Sequence, residues 1–562
     1  MASESDPNSK ESSLMPSRVD VPEAQLQAAS NEELDSQEKE HVYIADSLSL
    51  PRQFLFVATI CMSMFTLQVG LGQTLDILHV IGDSYGITNP GVLSWLVAGY
   101  SLTIGTFILI SGRFGDDFGH KKMFVIGTCW YALWSLIAGL AVYSNYVLFV
   151  FARVFQGMGP AMTLPNGLAI LGQSYSPGPN KNMAFAAFAS MAPLGSITGF
   201  AAAGLFALAW WPWAFWSSAI ALSCLAVFSA WVIPAQPVNM EAQKRTLRET
   251  INHLDLPGCL TGVTALVLFN FAWNQATVVG WEKAYVYICL ILGVLFGVVF
   301  FLIELFWASA PILPLAAFTS DIAFVLACTA CGWACFGIWV FYAANLVVTL
   351  DGISPLLLAA YYSPVVPSGM LAAFAVGKLL GRISPAWVML IGMLAYTLGS
   401  ILVATMPVGQ IYWSQFFFST LIICVGMDSS FPAATLIFSN AVRREYQGIG
   451  ASVVATVVNY SISLGLGFAG TVERQVNRGG RTGEDKLKGY RGAFYVAVGL
   501  AGLGFLLSVV FVGKGYLGER RNKKGIEKEG VEEKEVKGDL IRINASYHNV
   551  ANQSNQSIEG LT

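Results

Sequence analysis

Two charged residues lie deep inside long apolar runs: Arg153 within 146–170 and Asp428 within 412–436. In a bilayer-spanning helix an ionisable side chain costs about 3 kcal/mol or more unless it faces water or a partner. A carboxylate can take up and release a proton, so Asp428 is a candidate proton-binding residue. A guanidinium stays charged, so Arg153 would orient a ligand or tune a nearby proton acceptor. Duller roles compete with both. Asp428 could simply hydrogen-bond a neighbouring helix, and Arg153, about two turns from a helix end, could snorkel. Other polar residues within apolar runs, Gln68, Gln73, Gln156, Asn166, Asn345, Tyr361, Tyr362 and Asn459, could line a cavity. They could equally be interhelical hydrogen bonds, typically about 0.6 kcal/mol each. Asp76 and Glu304 lie near helix ends, where a solvated or snorkelling role is expected.

The elements that must hold these groups are read from composition. The chain has 562 residues, 55% hydrophobic and 12% charged, with a mean hydropathy of +0.58. A water-soluble globular chain rarely combines these values, so an all-α integral membrane protein is expected. Each crossing takes about 20 mostly apolar residues, and about fourteen such runs are present, from 53–75 to 493–512. Residues 1–50 and 514–562 are polar and expected to be disordered tails. No cleavable leader is expected.

Charge is concentrated where it can set topology. Residues 112–122 read Gly-Arg-Phe-Gly-Asp-Asp-Phe-Gly-His-Lys-Lys between the second and third runs. A short loop reversing direction there would use Gly112, Gly115 and Gly119, because only glycine takes positive φ without steric cost. Arg113, Lys121 and Lys122 join Lys181, Arg245, Arg248, Lys378 and Arg382 on one side of the membrane. That bias places both termini in the cytosol, where the sequons at Asn544, Asn552 and Asn555 would stay unmodified.

An internal repeat is visible eight runs apart. Gly159 and Pro165 in the fourth run are matched by Gly426 and Pro432 in the twelfth, and Gly112–Asp116 is echoed by Gly377–Arg382. Small residues at helical spacing in the fifth run, Gly195 and Gly199, predict close helix packing, with Gly465 as their counterpart in the thirteenth. Duplication of six helices with two inserted between the copies explains the order. The expected organisation is a six-helix bundle over 51–234, a linker with two extra helices over 235–316, and a second bundle over 317–513.

The segment Gly112–Lys122 resembles the signature between the second and third helices of the major facilitator superfamily, with Gly112, Asp116, Gly119, Lys121 and Lys122 matching and Asp117 replacing a usual arginine. Arg153-Val154-Phe155-Gln156-Gly157 resembles the superfamily's Arg-x-x-Gln-Gly motif. Together with Trp95–Tyr100 and the glutamine-rich first run, these residues look like the fungal aminotriazole-resistance branch of the fourteen-helix drug:proton antiporters. Two departures stand out. Ser196 and Phe200 replace the proline and final glycine of the antiporter motif, and Gln68 stands where many relatives carry an acid.

The resemblance implies a major facilitator fold and a secondary active transporter, expected to be monomeric, exporting small toxic or metabolic compounds in exchange for protons across the plasma membrane, with the vacuolar membrane as the alternative. It also implies that Asp116 lies against the start of the thirteenth helix, near Gly448–Ala451. A low-affinity facilitator or importer of ammonium or borate, or a non-transporting nutrient sensor, are the competing functions. The five histidines lie outside the spans, and the nine cysteines suit apolar packing, so no metal or cofactor is expected. Nor does any nucleophile–base pair point to an enzyme. Basic residues scattered among loops give no nucleic-acid patch.

Overall fold

In a lipid interior every backbone amide and carbonyl must be satisfied within the segment, which leaves apolar runs of this length no choice but helix. The computed structural model describes residues 43–176, 178–234, 245–308, 311–313, 319–441 and 447–517, and among them there is no strand. Among the described residues, fourteen helices are long and apolar enough to cross a membrane. The first six are Leu50–Asp76, Pro90–Phe118, His120–Tyr143, Tyr146–Ser174, Pro179–Ala207 and Trp213–Val232. Leu256–Val279 and Ala284–Phe306 are the seventh and eighth. The last six are Ser320–Leu350, Pro355–Leu380, Pro385–Ala404, Gln415–Ala441, Ala451–Val476 and Gly483–Leu517.

Glycines set the helix crossings. Gly199 approaches Val69 so closely that a Cβ there would lie 2.6 Å from its carbonyl oxygen, and Gly195 meets Phe65 in the same way. The first and fifth spans are therefore joined backbone to backbone through this pair. Gly159 in the fourth span lies against Tyr131 of the third, and Gly426 in the twelfth lies against Tyr396 of the eleventh. Gly127 and Gly392, each one turn before its tyrosine, face the carbonyls of Gly159 and Gly426 in turn. The repeat is thus a repeat of packing. The two halves meet where Gly105 of the second span accepts the backbone of Tyr460 in the thirteenth, and where the fifth span runs beside the tenth.

The seventh span is not a passive spacer. It leans on the thirteenth, where Asn274 Nδ2 donates to the Ser463 carbonyl at 3.1 Å and Ser463 Oγ donates to Asn270 Oδ1 at 2.8 Å. Its far end touches the start of the second span, Thr277 against Gly91. The eighth span packs on the seventh through Gly293 and turns Ile291, Val294 and Leu295 outward.

One local expectation is corrected. The stretch beginning at Gly112 is not a loop: the second helix continues to Phe118, and the third begins at His120. Only Gly119, at φ 99°, makes the reversal. Gly112 and Gly115 are helical, and their missing side chains serve packing. Gly115 leaves room for Asn166 and His120, while a Cβ on Gly112 would sit 3.7 Å from Ser452 Oγ of the thirteenth span. The chain therefore spends one glycine, not three, on the turn.

Candidate functional site

Arg153 is fully buried. Its Nε donates to the Leu96 carbonyl at 3.1 Å, Nη2 to the Gly70 carbonyl at 2.9 Å, and Nη1 to Gln156 Oε1. Its guanidinium lies 4.3 Å above the Tyr100 ring, a favourable cation–π distance. Gln156 passes the network on to Ser135 Oγ at 2.6 Å, and Tyr100 Oη to Tyr131 Oη at 3.0 Å. Gly157 lets the fourth span approach the Tyr100 carbonyl and Thr103. Arg153, Gln156 and Gly157 therefore join the first four spans from inside the first bundle. Nothing snorkels.

Asp428 lies elsewhere. It is partly covered, next to Gly369 of the tenth span, where a Cβ would be 3.2 Å from its Oδ2 and 3.4 Å from Pro193 of the fifth. It makes no hydrogen bond or ion pair among the described residues, and it shares no partner with Arg153. The carboxyl group thus lies beside the tenth span at Gly369, the residue that Pro193 of the fifth span also approaches.

The remaining sequence-predicted residues divide in the same way. Asn166 is buried, its Oδ1 2.8 Å from His120 Nδ1 and its Nδ2 donating to Ser111 O at 3.2 Å. Asn345 and Asn459 bond within their own helices, and Tyr362 Oη donates to Val340 O. Gln73 accepts from Ser218 Oγ at 2.8 Å while its amide nitrogen finds no partner. Gln68 is half-buried with no side-chain hydrogen bond among the described residues.

At the Gly112–Lys122 face, Asp116 is 67% exposed and pairs with His120 Nε2 at 3.2 Å. Of Gly448–Ala451, only the Ala451 side chain is among the described ones; the expected contact with the others lies outside them. The buried acid is Asp117, 5% exposed, 3.0 Å from Arg245 and 3.2 Å from His253. Arg113 donates to the carbonyls of His253 and Pro311. Lys121 is half-buried and Lys122 exposed. The segment thus grips the short helix Leu247–His253, whose start is closed by a Thr246–Glu249 capping box. The hydrogen bond from the Thr246 amide holds the Glu249 carboxyl below its ordinary pKa.

Sequence reasoning passed over Asp76. It closes the first span, yet is only 3% exposed and has no partner for either oxygen. The end of the span is covered by Gly204 of the fifth span and by the start of the tenth. The glycine spacing of the fifth span, continued from Gly195 and Gly199 to Gly204, was the available signal. Glu304, also assigned a solvated end, is likewise buried and accepts the amides of Ile312 and Leu313 at 3.1 and 3.2 Å.

This arrangement, two six-helix bundles with two further spans between them in the chain, is that of a polytopic carrier. The family model of the Major Facilitator Superfamily matches residues 53–466, and the chain belongs to that superfamily. Efflux pump terG of Aspergillus terreus is 50% identical over 491 residues, covering 87% of this chain and 92% of the relative. The low affinity ammonium transporter of Saccharomyces cerevisiae is 51% identical over 464 residues, covering 82% and 89%. The aminotriazole resistance protein of the same yeast is 38% identical over 484 residues, covering 85% and 87%. Among solved structures, a POT family transporter bound to a thioalcohol-conjugated peptide superposes with a TM-score of 0.59 at 13% identity, over 81% of this chain and 95% of that one. At that identity the likeness concerns the fold.

Proposed function

We propose that this protein exports small toxic or metabolic compounds in exchange for protons, with Asp428 as the coupling carboxylate. The observation that carries the reading is the place of Asp428: an acid with no partner among the described residues, where the fifth, tenth and twelfth spans come together. A residue beside the place where the halves meet can change its surroundings when they move, and a change of surroundings is what loads and unloads a proton. Efflux and resistance relatives at 50% and 38% identity support the direction. The basic bias of the Gly112–Lys122 face supports cytosolic tails, and export fits the plasma membrane.

The test is flux in proteoliposomes carrying the full chain, with aminotriazole as probe and an imposed pH gradient. The wild type should accumulate the probe against its gradient, and Asp428→Asn should keep counterflow while losing proton-driven accumulation. An Asn variant with unaltered pH dependence would place the proton elsewhere. A second reading, facilitated passage of ammonium, is favoured by Gln68, which cannot titrate where many relatives carry an acid, and by the 51% identity to the yeast ammonium transporter. Ammonium flux without proton-driven aminotriazole accumulation would select it.

A further inference from the structure

The halves also meet at the face opposite Gly112–Lys122, here called the far face. Phe200 of the fifth span packs against Tyr362 of the tenth, the rings tilted at 44° with centroids 5.1 Å apart. One turn beyond Phe200, Gly204 lies between Asp76 of the first span and Leu356 of the tenth: a Cβ on Gly204 would be 2.9 Å from Asp76 Oδ2 and 3.2 Å from Leu356 Cα. The first span therefore ends in a carboxyl group enclosed where the two halves touch, 3% exposed and with neither oxygen hydrogen-bonded. Buried charges require partners. The closed far face provides none, so it accommodates the neutral acid and not the ion.

No cation on the surrounding elements rescues the charge. Arg113, Asp116, Asp117, Lys181, Asp321 and Lys378 lie at the opposite ends of their spans. The sixth span offers only Cys224, and the nearby part of the tenth offers Tyr361 and Tyr362. Arg153, the nearest buried cation, holds the Gly70 carbonyl, six residues and about 9 Å along the helix from Asp76, and each of its three nitrogens already donates to another acceptor. The short helix Leu78–Ser84 adds Asp83 and His79, whose pKa is lowered chiefly by burial.

We infer that Asp76 is a second proton-binding site, one that gates the far face. With its proton on, the carboxyl group is neutral and the first, fifth and tenth spans stay closed over it. Release of that proton to water from the far side leaves a carboxylate that must be hydrated, and hydration separates Gly204 from Leu356. The inference takes its place in the cycle from the proton-coupled reading, but it is tested without flux.

The experiment is hydrogen exchange of the full chain in lipid nanodiscs, at mildly acid and mildly alkaline pH, with labelling times corrected for intrinsic exchange. Segments 200–208 and 354–362 should exchange about tenfold faster at alkaline pH in the wild type, the ratio that a 1.4 kcal/mol shift in opening gives. Asp76→Asn, which cannot ionise, should abolish the difference, and His79→Gln should leave it intact. A wild type with no pH response at these segments would overturn the inference whether or not the variants fold. So would an Asp76→Asn protein that responds as the wild type does. Failure of the coupling reading itself would show instead in the vesicle flux.

Discussion

The fourth and twelfth spans are the same object packed twice and used differently. Each carries a glycine against a tyrosine of the preceding span, Gly159 on Tyr131 and Gly426 on Tyr396, and each has a proline one and a half turns later. Six residues before the glycine, however, the fourth span holds Arg153 and the twelfth holds Thr420, whose hydroxyl merely bonds its own helix at Phe416 O. Two residues after it, the twelfth holds Asp428 and the fourth Ala161. One half seals its charge among main-chain carbonyls; the other leaves its charge at the meeting of the halves. Duplication preserved the interlocking shapes, and the chemistry diverged at positions those shapes do not constrain.

The contrast can be broken most severely at Arg153. Arg153→Ala should cost about 3 kcal/mol or more, because it strands Gln156 and opens a large hole beneath Tyr100. Arg153→Lys keeps the charge but cannot reach the acceptors with a planar fork, so it should recover only part of the loss. Thermal unfolding in detergent measures both, and a neutral Ala variant would contradict the sealed network. Next come the paired glycines. A Cβ on Gly159 would lie 2.9 Å from the Tyr131 Cα, which cannot yield, whereas on Gly426 it would meet the Tyr396 ring, which can turn. Gly159→Ala should therefore cost about 1–3 kcal/mol and Gly426→Ala clearly less; equal effects would argue against the difference in contact. Smallest is the acid pair at the Gly112–Lys122 face. Asp117→Asn should loosen the Leu247–His253 helix by about 1 kcal/mol or less, seen as faster hydrogen exchange over 245–253, while Asp116→Asn, at an exposed site, should change that segment little.

The fourteen spans, the repeat and the helix-packing role of Gly195 and Gly199 were readable because they depend on local composition and spacing. Gly112, Gly115 and Asp76 were misread for a shared reason. A helix end was assumed where charge or glycine appears, but whether such a residue meets water is decided by elements far away in the chain. Asp76 is enclosed by the tenth span, nearly three hundred residues later. Asp117, marked only as a departure from the family pattern, is buried because the linker 128 residues on supplies Arg245, just ahead of the Leu247–His253 helix. Rotation about a helix axis separates Asp116 from Asp117, and one sequence carries no direct reading of that angle.

Arg153 also bears on how the chain is made. Its main-chain acceptors, Gly70 and Leu96, and the ring that covers it, Tyr100, all precede it, and Gln156 follows within the next turn. As the polypeptide emerges, the first two helices are already available when the charged fourth arrives. The costliest residue to leave in lipid is thus synthesised after most of its shelter, and that shelter needs nothing from the second half of the protein.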